Sequence, residues 1–139
     1  MTTKPKQPTL FDPTATDKSA MARPSRIGDT TVSYAYASAM LNRATGFMDT
    51  YDFTLNPYSG CSFGCSYCYA AFFSTTTEER DKWGKWVRVK DNAIDLMRKK
   101  IKGRHKDKNG NWKPNNESLI YMSSVTDPYQ PIERRLELT

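Results

Sequence analysis

All three cysteines of this 139-residue chain lie within eight residues, in the segment CSFGCSYC. They are Cys61, Cys65 and Cys68. An odd number of cysteines cannot form a closed set of disulfides, and clustered thiols in a reducing compartment bind metal more often than they pair. The segment therefore favours two interpretations, an iron–sulfur cluster and a zinc site.

The iron–sulfur interpretation rests on the number of thiols. A cluster of four irons normally takes one thiolate per iron. Because the chain has no fourth cysteine, three thiolates would leave one iron open to hold and activate a ligand. A bent loop presents thiolates from several directions, and Gly64 supports such a bend. Loop 57–69 is therefore the predicted cluster loop.

The alternative is a structural zinc site in which His105 is the fourth ligand of a Cys3His set. Such sites usually present their ligands in short pairs separated by a loop, whereas here the thiols stand in one run. His105 lies in a polar, basic segment, so the sequence predicts a solvated side chain.

The cysteine spacing, with Tyr67 before the last cysteine, resembles the signature of the radical S-adenosylmethionine (radical SAM) superfamily. Three segments, NPYSGC at 56–61, CYA at 68–70 and SSVTDPYQPIE at 123–133, are similar to the group related to spore photoproduct lyase, also called DNA repair photolyase-like. The resemblance covers approximately residues 52–139.

The resemblance implies a lyase-like enzyme with two cofactors. The three cysteines would hold a 4Fe–4S cluster, and its open iron would bind S-adenosylmethionine. Reductive cleavage would give methionine and a 5'-deoxyadenosyl radical, which takes a hydrogen atom from a substrate. An electron donor such as flavodoxin or ferredoxin is implied as a partner.

Further site residues follow from the same resemblance. The backbone near Tyr67 would lie against the adenine. Ser124, Thr126 and Asp127 would lie in the region that contacts the methionyl end of S-adenosylmethionine. The aromatic residues Phe63, Tyr67 and Tyr69 would help to shield the cluster, which affects its potential.

Charge is concentrated in one part of the chain. The net charge is +6, and segment 80–113 carries thirteen Lys or Arg and four Asp, a local net charge of +9. This asymmetry favours a polyanionic partner such as nucleic acid, with a solvated basic surface as the alternative. DNA is accordingly the candidate substrate.

The composition suits one modest globular domain, with 37% hydrophobic and 26% charged residues. No apolar run is long enough to cross a bilayer, and the first residues lack the apolar stretch of a secretory signal. The sequence therefore predicts a cytoplasmic protein with no membrane partner.

The predicted organisation is a disordered N-terminal tail at residues 1–30 and an incomplete radical SAM domain at residues 31–139. Residues 31–50 lack a clear period and are predicted to be irregular. The other predicted elements are a strand at 51–55, a helix after Cys68, an extended segment at 86–89, a helix from Asp91 to Gly103 with Ala93, Ile94, Met97 and Ile101 on one face, a strand buried on both faces at 119–122, and a helix from Pro131.

This order predicts an α/β fold with parallel strands. The resemblance implies the N-terminal part of a partial TIM-like (β/α) barrel, and we expect the chain to be the N-terminal portion of a longer enzyme. Three functional hypotheses stay open: a radical SAM protein, a zinc-stabilised nucleic-acid-binding module without catalysis, and a fragment that binds neither metal.

Overall fold

The computed structural model describes residues 23–139, which form two β-sheets, one β-hairpin and three short α-helices. The strands are β1 (Arg26–Ile27), β2 (Thr30–Ala35), β3 (Leu41–Arg43), β4 (Phe53–Leu55), β5 (Tyr58–Gly60), β6 (Trp86–Lys90), β7 (Arg104–Lys106), β8 (Trp112–Pro114) and β9 (Ile120–Met122). The α-helices are α1 (Thr77–Asp81), α2 (Ala93–Ile101) and α3 (Glu133–Leu136). Single 3-10 turns cover Gly46–Met48, Tyr69–Phe73 and Asn115–Glu117.

The first sheet has the strand order β1-β2-β6-β5. Strands β2 and β6 are parallel, whereas β1 and β5 pair antiparallel with their neighbours. Alternation along β6 buries Val87 and Val89 on one face of the sheet. The core on this face is completed by Val32, Tyr58 and Ile132. Ile132 directly precedes α3, and Leu136 and Leu138 pack against the same core.

The second sheet has the strand order β3-β4-β9, with β3 antiparallel and β9 parallel to β4. Helix α2 packs on it through Ala93, Leu96 and Met97. The remaining core residues are Met40, Leu41, Phe53, Leu55 and Ile120. The predicted helix is confirmed, but Ile94 and Ile101 are exposed, so the apolar face of α2 is narrower than the sequence suggests.

The prediction of a TIM-like barrel fragment is wrong. The described residues form small mixed and antiparallel sheets, and of their three α-helices α1 and α3 have only five and four residues. A barrel needs parallel strands joined by helical crossovers. Here only Asn56 and Pro57 separate β4 from β5, and these two strands lie in different sheets.

Strands also occur in segments that were predicted to be disordered or irregular. Of the predicted tail, residues 1–22 lie outside the described residues, while β1 and the start of β2 fall within residues 23–30. The rest of β2 occupies the segment predicted to be irregular. The basic segment after α2 forms the antiparallel hairpin β7–β8, which turns at Gly110, where φ is 81°.

Strand β9 differs from its prediction as well. Within residues 23–139 it pairs only with β4, and its residues are half-buried or exposed rather than buried on both faces. The predicted helix after Cys68 is a 3-10 turn. None of the helices in this part of the chain is long and apolar enough to cross a lipid bilayer.

Candidate functional site

The cysteine loop, residues 61–68, follows β5 directly and lies against the first sheet. Gly60 and Gly64 have φ angles of 77° and 59°, a region that glycine enters at low cost. A Cβ on Gly60 would lie 2.6 Å from the ring of Trp86, and a Cβ on Gly64 would lie 3.0 Å from Cα of Gly84. The loop can therefore rest on the start of β6 only because both positions lack a side chain.

All three cysteines are free thiols. Cys61 is buried, and Cys65 and Cys68 are half-buried. Burial raises the pKa of Cys61, and backbone hydrogen bonds from Phe63 and Asp127 to its sulfur partly oppose that rise. The nearby Asp127 and Cys68 side chains raise this pKa further. Cys61 is thus a buried sulfur that already has two N–H donors.

The three thiols share one loop but do not converge. Within residues 23–139, no group of three or more His, Cys, Asp or Glu side chains is close enough to hold a metal ion. The Cys68 N–H donates to the Cys65 carbonyl over 3.1 Å, in a tight turn. The donor set therefore fits a thiolate-bound cluster in its chemistry, and the loop must close further for all three sulfurs to share one.

A chain of hydrogen bonds anchors the loop to the segment after β9. The Gln130 side chain accepts from the Ser62 N–H over 3.1 Å and donates to the Thr126 hydroxyl over 3.1 Å. The Thr126 hydroxyl in turn donates to the Gly60 carbonyl over 2.6 Å. Gln130 and Thr126 are both buried. These side chains fix both the entry and the start of the cysteine loop.

Ser124 is held by two further residues. Asn56 donates to the Ser124 hydroxyl over 3.1 Å and accepts from the Val125 N–H over 3.1 Å. The Tyr69 hydroxyl donates to the Ser124 carbonyl. The Asp127 carboxylate is half-buried and accepts from the Tyr129 N–H over 2.7 Å. Segment 124–130 therefore lies directly beside the cysteine loop.

The residues expected to contact S-adenosylmethionine fall into different environments. Ser124 and Asp127 lie beside the loop with partly accessible side chains. The Thr126 hydroxyl is buried, and both its donor and one of its lone pairs serve the anchoring chain, so Thr126 has a structural role. Tyr67 is 88% exposed at the tip of the loop.

Sequence reasoning missed the anchoring residues Asn56 and Gln130. Both are buried amides, and buried amides must find hydrogen-bond partners. The sequence offered one clue to them, which was their position: Asn56 lies just before β5, and Gln130 lies within the segment 123–133. The resemblance also implied that Phe63, Tyr67 and Tyr69 would help to shield a cluster. In the structure each of these side chains is more than half exposed.

His105 is buried, and the prediction of a solvated side chain is wrong. Strand alternation turns Arg104 and Lys106 outward and His105 inward, against Phe53. Its Nδ1 lies 2.8 Å from Oδ1 of Asn115. Its Nε2 lies 3.2 Å from Oδ1 of Asp52, close enough for an ion pair but outside hydrogen-bond geometry. Both ring nitrogens thus face protein groups, which does not favour His105 as a zinc ligand.

His105 adjoins a partly buried ion pair between Asp52 and Lys113. Lys113 donates to Oδ2 of Asp52 over 2.9 Å, and the Leu119 N–H donates to the same oxygen over 2.9 Å. Burial alone would raise the pKa of Asp52, but the hydrogen bonds from Lys113 and Leu119, together with the nearby His105 ring, outweigh it and lower the pKa to about 2. This network ties the β7–β8 hairpin to the second sheet.

Part of the chain is similar to a known protein. The chain is 42% identical over 88 residues to an uncharacterized protein of Methanocaldococcus jannaschii, and the match covers 63% of this chain but only 28% of that protein. No family model matches the chain, and no solved structure matches it. The matched part is therefore less than a third of that relative's length.

Proposed function

We propose that this chain is an iron–sulfur protein of the radical SAM type. Cys61, Cys65 and Cys68 would hold a 4Fe–4S cluster, and S-adenosylmethionine would bind beside it. When bound, these groups supply a one-electron reductive cleavage that yields a 5'-deoxyadenosyl radical. The proposal includes a cytoplasmic location, a flavodoxin or ferredoxin as electron donor, and DNA as the substrate class.

One observation carries the proposal: three free thiols stand on a single loop, and the most buried of them accepts two backbone N–H bonds. Iron–sulfur clusters are held by thiolates, and hydrogen bonds to the sulfurs help to set the reduction potential. The N–H groups of Phe63 and Asp127 provide such bonds at Cys61. A Cys61 thiolate would therefore be stabilised by these two backbone N–H groups.

The chain's own groups beside the loop suit the methionyl end of S-adenosylmethionine. That end carries an ammonium group, which needs acceptor oxygens. Asp127 uses Oδ1 for the Tyr129 N–H, which leaves Oδ2 without a hydrogen bond among the described residues. The Ser124 hydroxyl lies nearby, oriented by Asn56. We assign these two oxygens to the ammonium, and Gln130 and Thr126 to positioning the loop.

The experiment is anaerobic reconstitution of the full chain with iron and sulfide. We expect a brown protein with about four irons and four sulfides per chain. Addition of S-adenosylmethionine to the reduced protein should shift its electron paramagnetic resonance signal, because an open iron gains ligands. A colourless protein that binds zinc and no iron would favour the zinc-stabilised module instead.

Two variants make this test specific. Cys65→Ala removes one thiol and should lose most of the bound iron. Ser66→Ala changes the exposed neighbouring residue and should keep it. If Cys65→Ala retains as much iron and sulfide as the unmodified chain, the three-thiolate assignment is wrong.

A further inference from the structure

A cleft of about 380 Å³ lies apart from the cysteine loop, between α2, the chain that enters β3 and the start of β7. Its lining includes three cations, Lys99, Lys100 and Arg104. It also includes the apolar residues Met40, Leu41 and Leu96, of which Met40 and Leu41 are core residues only 4% and 5% exposed. The cleft therefore offers both a charged and a hydrophobic surface to a ligand.

The cations of this cleft lack counter-charges. No Asp or Glu lines the cleft within the described residues, and Lys99, Lys100 and Arg104 form no ion pair there. Elsewhere, basic side chains such as Arg88 and Lys113 contact a carboxylate at 2.7 and 2.9 Å. Like charges gathered around one space repel each other, and a bound anion relieves that repulsion.

The floor of the cleft is held rigidly. Asn115 is buried, and its amide donates to the Lys100 carbonyl over 2.7 Å while its oxygen faces His105 Nδ1 at 2.8 Å. Gly103 passes so close that a Cβ would lie 3.1 Å from the Asn115 amide nitrogen. The end of α2 and the start of β7 are thus fixed relative to each other, and so are the backbones that carry the three cations.

The geometry points to a binding site for a phosphate-bearing ligand with an apolar or aromatic part. Arg recognises phosphate through paired hydrogen bonds, and Lys adds point charge. The apolar wall would receive the base or hydrocarbon portion. A free nucleotide and the backbone of a nucleic-acid strand share this chemistry. The site uses none of the residues assigned to the cysteine loop. Its test is therefore independent of the test of the proposed cluster.

The test uses the full chain without added iron. Pyrophosphate and adenosine monophosphate are titrated by calorimetry, and a fluorescent oligothymidylate is titrated by anisotropy at about 50–200 mM salt. The triple variant K99Q/K100Q/R104Q removes the three cations. The triple variant R26Q/K82Q/K85Q, at exposed positions outside the cleft, is the charge-matched control. The single variant R104Q changes one exposed strand residue, so it perturbs the fold least and tests whether the loss of one cation already weakens binding.

We expect binding that the cleft variant weakens at least about tenfold and that the control largely keeps. For a single strand, the slope of log K against log salt should become shallower by about 2, at about 0.7 per lost contact. Binding of the small phosphates identifies a free ligand, and binding of the oligonucleotide alone identifies a strand. Absence of all binding, or equal loss in both triple variants, would overturn the site.

Discussion

The Gln130 side chain accepts a hydrogen bond of 3.1 Å from the backbone N–H of Ser62. A fully buried amide near one end of the described chain thus holds the first peptide group after Cys61. Its own amide group is satisfied by Thr126. The shape of the cysteine loop therefore depends on residues far from the cysteines in sequence.

Gln130→Ala should destabilise the chain by about 2–3 kcal/mol, because it leaves the half-buried Ser62 N–H unpaired and opens a cavity at a fully buried side chain. Urea unfolding measures the change, and hydrogen exchange at Ser62 should become faster. Tyr129→Ala, at a position 78% exposed, is the neighbouring control. Equal stability of the two variants would show that Gln130 is not an anchor.

Gly84→Ala should cost more than Gly110→Ala, although both glycines have positive φ, 90° and 81°. A Cβ at Gly110 meets nothing within 4 Å, so only backbone strain of about 1–2 kcal/mol is expected. A Cβ at Gly84 would lie 2.6 Å from Cα of Gly64. The overlap should add about 2 kcal/mol more. The measurement is the free energy of unfolding of the two variants in denaturant. Equal losses of stability in Gly84→Ala and Gly110→Ala would refute the close contact between Gly84 and Gly64.

Asp52 should make stability depend on pH in the acid range. Its folded pKa of about 2 lies below the ordinary value of 3.8, so its contribution is present above pH 4 and is lost as pH falls toward 2. The shift corresponds to about 2 kcal/mol.

The measurement is the unfolding free energy of the unmodified chain and of Asp52→Asn between pH 2 and 6. The difference between them should shrink by about 2 kcal/mol as the pH falls. Asp81→Asn, on exposed α1, serves as the control. A difference for Asp52→Asn that stays constant with pH would contradict the assignment.

Cys61 should react with iodoacetamide more slowly than Cys65 and Cys68 in the metal-free chain. Its sulfur is buried, and burial raises its pKa, so little thiolate is present near neutral pH. We expect the alkylation rate of Cys61 to be at least about tenfold lower than those of the other two thiols. The three rates are measured by mass spectrometry of the alkylated peptides. Denaturation in urea should equalise the three rates. Equal rates in the folded chain would argue against the burial of Cys61.

The elements that sequence predicted well are those with a strong local pattern. Strand β6 alternates Val87 and Val89 with polar residues, and α2 carries Ala93 and Met97 at helical spacing. Each pattern reports burial by itself. The prediction of these elements is confirmed, as is the strand at β4.

The elements that it missed depend on distant partners. Strand β2 has a weak pattern, and it exists because it pairs along its length with β6, with Val32 opposite Val87. His105 looked solvated because its neighbours in sequence are basic, yet its environment is set by Phe53 of the second sheet and by Asp52 just before it. The barrel expectation failed for a similar reason, since order along the chain does not fix which strands pair.

The Gln130 anchor has a consequence for biosynthesis. Sixty-eight residues separate it from Ser62, and at about 5–20 residues per second the ribosome needs roughly 3–14 s to add them. During that interval the cysteine loop has been synthesised, but the Ser62 N–H still lacks its hydrogen bond to Gln130. The anchored shape of the loop is thus acquired only seconds after its own residues have been joined, once synthesis has passed Gln130.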